Sequence, residues 1–417
     1  MEQRLNIQGA AVRTPATCFI LALVPAAGLA AAETPLATVH SQPSWTIRSK
    51  EVELSVTALG GHMAPVTFYR DTSQPVQPYY ISPWQDEKLM LDVPVLVPLR
   101  GDFFCMPFGG NTEPFNDEKH PPHGEVAGAS WSQDGTEQAQ GVTTLRLTLQ
   151  TKVRPGKVHK RLSLVDGQNV VYCQHVIEGF AGRTPLGHHA TLAVPEREGA
   201  LRVSVSPFRL GMTNPLLFSD PARREYQALQ IGQKFTDLRR IPVQWKDAPD
   251  ADCTAFPART GFADLLAVCS EPADQRTGPA WVTATHAEQG YVWFALKDAA
   301  MLPTTVMWIE NHGRHAAPWN GRNRCLGLED VCAYFAEGLG PSVQPNLLSK
   351  AGIPTAIELS RERPTVINYI QGVARVPKDF DMVEKVEFAA GQLTLVSRSG
   401  RKVIVPVRHE FLKTGKL

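Results

Sequence analysis

Polar and apolar residues alternate with a period of two through the middle of this chain. From Val142 to Val153, Leu145, Leu147 and Leu149 fall on one side, and Arg154-Pro155-Gly156 then breaks the run. Val158 to Val165 resumes it, Asp166-Gly167 breaks it again, and Asn169 to Ile177 makes a third run. Alternation between turn residues is the pattern of antiparallel hairpins with one face buried. Gly and Pro recur at short intervals elsewhere, so helical periodicity never persists. Pro221 to Leu229 and Glu329 to Glu337 are at most short helices. Gly338 to Pro345 reads as a connection, Ala356 to Leu359 and Val366 to Ile370 as short strands, and Val386 to Val407 as a hairpin turning at Ser399-Gly400. The expectation is an all-β chain, a large antiparallel sandwich over residues 33–340. Extra C-terminal strands, residues 341–417, should pack on its main sheet.

The first 32 residues differ from this pattern. Arg4 and Arg13 precede an apolar stretch from Ala16 to Leu29, and Ala30-Ala31-Ala32 meets Glu33. That is a basic region, an apolar core and a small-residue cleavage site, which predicts export to the periplasm or the medium with cleavage between Ala32 and Glu33. Pro25 and the short length argue against a spanning helix, so no membrane partner is expected after cleavage; a retained N-terminal anchor is the plain alternative. A net charge of +1 over 417 residues gives no reason to expect a nucleic-acid partner. Cleavage would remove Cys18 and leave Cys105, Cys173, Cys253, Cys269, Cys325 and Cys332. An even set in an oxidising compartment permits disulfides, with Cys253–Cys269 the best local pair.

Candidate chemistry is spread over four segments. LRGDFFCMPFGG (Leu99 to Gly110) puts Arg100 at a strand end, where its planar fork suits hydroxyl pairs or a carboxylate; a surface charge is the plain alternative. HPPHGEVAGASW (His120 to Trp131) places His123 before a glycine that lets backbone approach a ligand closely. The three-residue spacing of His120 and His123 does not make a metal site, because Pro121 and Pro122 forbid a helix there; His312 and His315 likewise lack further ligands. GHHATL (Gly187 to Leu192) is extended, so His188 and His189 should point to opposite faces. PWNGRNRCLGLEDV (Pro318 to Val331) carries Glu329 in an apolar setting, either paired with Arg322 or Arg324 or held as a base. Trp319, Asn320 and Trp131 are candidates for sugar contact, although tryptophans in a β core are commoner.

Taken together, these segments resemble the aldose 1-epimerase (galactose mutarotase-like) superfamily, nearest its hexose-6-phosphate mutarotase branch. LRGDFFCMPFG is similar to that branch's Arg-Gly-Gly segment, HPPHGEVAGASW to its His-Gly-Phe-Ala-Arg segment, GHHATL to the strand with its second histidine, and CLGLEDV to the strand with its glutamate. The resemblance implies a β-supersandwich with a sugar cleft and anomer interconversion that needs neither metal nor organic cofactor. It implies Glu329 as the base on the anomeric hydroxyl and His189 as the acid on the ring oxygen. It also implies His123 as a hydrogen-bonding partner of the sugar and Arg100 as a binder of substrate hydroxyls; His188, Trp319, Asn320 and Trp131 are substrate-binding candidates from the residues themselves. A carboxylate beside His189 should raise its pKa above the ordinary ~6.5, while Glu329 near ~4.3 would be ionised. Glu125-Val126-Ala127-Gly128 stands where the branch has arginine, which with export favours a free sugar or uronic acid over a phosphosugar.

Two rival readings use the same fold. One is a non-catalytic carbohydrate-binding protein. The other is a polysaccharide lyase or glycosidase; a hydrolase would require a second carboxylate opposite Glu329, with Glu125 or Glu310 as the place to look.

Overall fold

The strands are arranged mainly in two large antiparallel sheets. The computed structural model describes residues 1–2, 9, 32–275 and 278–417, and residues 31–417 make one unit. The expected export signal lies almost wholly outside the described residues.

One sheet has nine strands, and its central members are Ala280–His286, Tyr291–Lys297, Thr365–Arg375 and Val170–Glu178. The other has eight, with Phe262–Ser270, Thr304–Asn311 and Arg324–Cys332 at its middle. The expected all-β antiparallel sandwich is what the chain forms. The three runs of alternating residues become Val142–Thr151, Gly156–Val165 and Val170–Glu178. Val142–Thr151 lies next to the sheet edge and keeps its alternation, one face in and one face toward water. Tyr291–Lys297 and Thr304–Asn311 are buried on both faces, so their sequences show no such rhythm.

That loss of rhythm explains one wrong expectation. Glu329 to Glu337 is not a short helix: Glu329 lies inside the strand Arg324–Cys332, which is buried on both sides after its first residue. Its polar residues face interior partners rather than water, so the period of two is masked. Pro221–Arg223 is a single 3-10 turn. In the tail, Thr365–Arg375 lies within the nine-stranded sheet between Tyr291–Lys297 and Val170–Glu178. Val383–Ala389, Gln392–Ser397 and Lys402–Pro406 form a separate three-stranded sheet.

Two apolar clusters border the eight-stranded sheet. On one face Met307, Ile309, Leu326 and Leu328 pack in the main core, which also takes in Trp293 and Tyr369 of the nine-stranded sheet. On the other face Val306, Trp308 and Val331 meet side chains from covering loops, among them Trp84, Val95 and Trp319. Cys253 belongs to the first cluster and Cys269 to the second, so the expected disulfide is not formed. The six described cysteines are free and buried. Among the described residues no helix is long and apolar enough to cross a membrane.

Candidate active site

Strand pairing alone brings the second histidine to the glutamate. Ala190 pairs with Leu328 and Gly187 with Val331, and the same count sets His189 opposite Glu329. Directly opposed residues share a face and lie close together. His189 Nε2 is 3.1 Å from Glu329 Oε1. Gly327 makes room for this contact: a Cβ there would stand 2.5 Å from Glu329 Oε1 and 3.0 Å from the Trp308 Cβ.

The imidazole of His189 is fixed on three sides. Its ring stacks on Phe103 with centroids 4.4 Å apart, its Nδ1 is 3.2 Å from Thr191 Oγ1, and its backbone N–H donates to the Phe103 carbonyl. His123 stands edge-on to it at 5.0 Å. The loop holds His123 in the left-handed region, φ 61°, followed by Gly124 at φ 76°; a side chain at Gly124 would overlap the Met106 carbonyl.

These groups line one cavity of about 300 Å³ on the loop-covered face of the sheet, together with Arg314. Its remaining walls are mainly apolar, with Phe103, Phe218, Trp308 and Trp319 as the aromatic ones. Such a volume is at the lower end for small-molecule sites and suits one sugar ring rather than an oligosaccharide. Glu329 is the only carboxylate among the described residues lining it. Glu125 instead accepts from the backbone of Lys152 and Val153. Glu310 accepts through Oε1 from the N–H groups of Gly313 and Arg314.

Burial sets the protonation of the pair, against the expectation for His189. It pushes the Glu329 carboxyl well above the carboxylate range, with Arg314 pulling it partly back. It pushes the His189 imidazole well below its ordinary value, and His123 adds to that. Loss of solvent, not the nearby carboxylate, sets the direction of the shift. Both directions favour the uncharged forms, a protonated carboxyl beside a neutral imidazole. His123 is only partly buried as a residue, but protein atoms surround its ring. Burial and then Arg314 push it down to about 4.

The other expected site residues lie elsewhere. Arg100 is wholly buried outside the cavity, and four of its five N–H groups donate to the carbonyls of Pro98, Val39 and His40 and to Gln85 Oε1. His188 faces the other side of the sheet, with Nδ1 2.8 Å from Asp102 Oδ2 and its ring on Tyr369. Trp131 donates its indole N–H to the Val126 carbonyl beneath Lys160. Asn320 is exposed at a left-handed turn beside Trp319. Neither arginine near Glu329 in sequence pairs with it: Arg322 binds Glu87, and Arg324 donates to the Val194 carbonyl. Among the described residues no group of three His, Cys, Asp or Glu is arranged to hold a metal.

No protein-family model matches the chain, and no curated protein matches its sequence. Solved structures do match. A galactose mutarotase-like protein from Clostridium acetobutylicum superposes with TM-score 0.54 at 11% identity, covering 83% of this chain and 99% of its own. A candidate mutarotase from Salmonella typhimurium gives 0.52 at 11%, covering 82% and 97%. A candidate aldose 1-epimerase from Klebsiella pneumoniae gives 0.53 at 10%, covering 80% of each chain. The fold is therefore that of the aldose 1-epimerase and galactose mutarotase-like proteins, as the motifs led us to expect.

Proposed function

We propose that this chain is an exported, aldose 1-epimerase-like enzyme that interconverts the anomers of a free sugar or uronic acid. The observation that carries the reading is the Glu329–His189 contact inside a cavity sized for one ring. The pair holds one proton. Hydrogen bonds from sugar hydroxyls offset the desolvation of the carboxylate, so the proton can cross 3.1 Å to Nε2. Glu329 then takes the proton of the anomeric hydroxyl while His189 gives its proton to the ring oxygen. The C1–O5 bond breaks as the C1–O1 double bond forms, and rotation about C1–C2 followed by reversal of these transfers yields the other anomer. His123, beside His189, is assigned a hydrogen bond to the ring or anomeric oxygen. A hydrolytic reading has less support, because Glu329 has no second carboxylate facing it among the described cavity residues.

The test is anomer exchange by NMR over a panel of neutral sugars and uronic acids, with wild type and Glu329→Gln. Wild type should accelerate exchange of at least one sugar, and the variant should lose about 100- to 10,000-fold of that acceleration. Equal rates for the two proteins would remove Glu329 from the chemistry. Binding without any acceleration would leave a carbohydrate-binding protein.

A further inference from the structure

Arg314 was not among the residues the motifs singled out, yet it is the one cation among the described residues lining the cavity. It sits in the loop joining Thr304–Asn311 to Arg324–Cys332. Its guanidinium carbon is 5.0 Å from the Phe218 ring centroid, 5.2 Å from Trp319 and 5.5 Å from Trp308. Three aromatic faces hold the group in place without using its N–H donors. Its charge acts on Glu329 and on His123.

The donors remain unspent. Among the described residues the Arg314 side chain makes no hydrogen bond, and its Nε is buried without a partner. Glu310 Oε2 is 3.8 Å from Nε, an ion-pair distance that is too long for a hydrogen bond. That oxygen is itself buried and unpartnered. A guanidinium fork fixed at a cavity wall with no protein hydrogen-bond partner among the described residues is suited to a planar anion.

We infer that Arg314 sets the specificity of the cavity for a sugar acid, a pyranose whose C5 carboxylate is bound by the guanidinium fork. The inference rests on the proposed mutarotase reading for the ring and is independent of it for the charge. A carboxylate is favoured over a phosphate by the company Arg314 keeps. A buried phosphate dianion requires more than one cation and several donors, and the cavity offers one guanidinium among largely apolar walls. A carboxylate needs only the two parallel N–H groups of one arginine. In a hexuronate that carboxylate is attached next to the ring oxygen, so one small cavity can hold both the charged group and the reacting atoms.

The experiment is equilibrium binding, followed by the fluorescence of the cavity tryptophans at pH 6 and low salt. The probes are galacturonate, glucuronate, galactose, glucose and glucose 6-phosphate. Wild type should bind at least one hexuronate about 10- to 100-fold tighter than its neutral parent. Arg314→Met, which keeps the stem against the rings, should abolish that difference, and Arg314→Lys should retain part of it. If the Met variant does not fold, added salt should still erode the preference in wild type. A preference for neutral sugars, or one that survives Arg314→Met, overturns the inference; tighter binding of glucose 6-phosphate overturns the carboxylate assignment. Tight hexuronate binding without anomer exchange upholds this inference and sinks the mutarotase reading. Exchange of neutral sugars alone does the reverse.

Discussion

Glu310 offers a perturbation whose size follows from its surroundings. Its carboxyl is buried on the cavity side of the sheet, with Arg314 3.8 Å away, Glu225 adding like charge, and Tyr80 and Cys325 close enough to feel it. Burial pushes its pKa from 4.5 up to about 7, against the pull of Arg314 and of the Arg314 and Gly313 N–H groups. Between those values the folded chain keeps a proton that the unfolded chain has released. Stability from this group is therefore fully present below pH 4.5 and is lost as pH rises through 7. The loss is about 3 kcal/mol by pH 8, of which about 2.5 kcal/mol falls between pH 5 and pH 8.

Glu310→Gln removes the titration but retains Oε1 as acceptor for the two N–H groups. Other titrating groups, such as Asp264, are common to both proteins and cancel in the comparison. Urea unfolding at pH 5, 6, 7 and 8, read by tryptophan fluorescence, gives the difference in stability at each pH. That difference should move in favour of Glu310→Gln by about 2.5 kcal/mol from pH 5 to pH 8. A constant difference would mean that Glu310 titrates near its ordinary value. A drift the other way would mean that Arg314 holds it ionised. Either result would refute the account of a poorly paired carboxylate.

Other predictions concern the pair, the sheet beneath it and the N-terminus. Gly327→Ala should misplace Glu329 and reduce any anomer exchange by about 100-fold, at a cost of about 1–3 kcal/mol in urea unfolding. Full activity would show that the carboxylate has more freedom than its contacts imply. Asp102→Ala strips the acceptor from His188 Nδ1 and Gln371 Nε2, both at 2.8 Å and buried. It should cost about 3 kcal/mol or more in the same assay, and a loss under about 1 kcal/mol would contradict the role assigned to Asp102. Mass spectrometry of the full-length chain expressed in a secreting host should find Glu33 at the N-terminus, and an intact leader would argue against cleavage.

The strand runs at Val142 and Val158 were legible because one face of each approaches solvent over much of its length, so polarity follows geometry, and the run at Asn169 was legible from the turn residues that precede it. Deeper in the sandwich that link fails, and the strand carrying Glu329 was misread in part as helix for that reason. Glu329, His189, His123 and Trp319 come together around one cavity. Arg100 shows the limit of residue type as a guide: the fork suited to a ligand is consumed by backbone carbonyls. Arg314 was missed because its partners are aromatic faces, supplied by a strand (Trp308), its own loop (Trp319) and a distant segment (Phe218). The available signal was an arginine between two tryptophans, Trp308 and Trp319, on the hairpin that leads to Glu329.

One register explains how this sheet lines the cavity with one face and the core with the other. His188-His189 runs antiparallel to Glu329-Asp330, so His189 meets Glu329 on the cavity face while His188 and Asp330 turn to the interior. There His188 binds Asp102, and Asp330 accepts from Tyr369 at 2.8 Å, Thr305 at 2.6 Å and Lys297 at 2.6 Å. Each neighbouring pair of polar residues thus divides its labour through the pleat. A slip of one residue would send Asp330, with its three buried partners lost, into the cavity and bury Glu329 among the core leucines. The interior network therefore resists such a slip and keeps Glu329 facing His189.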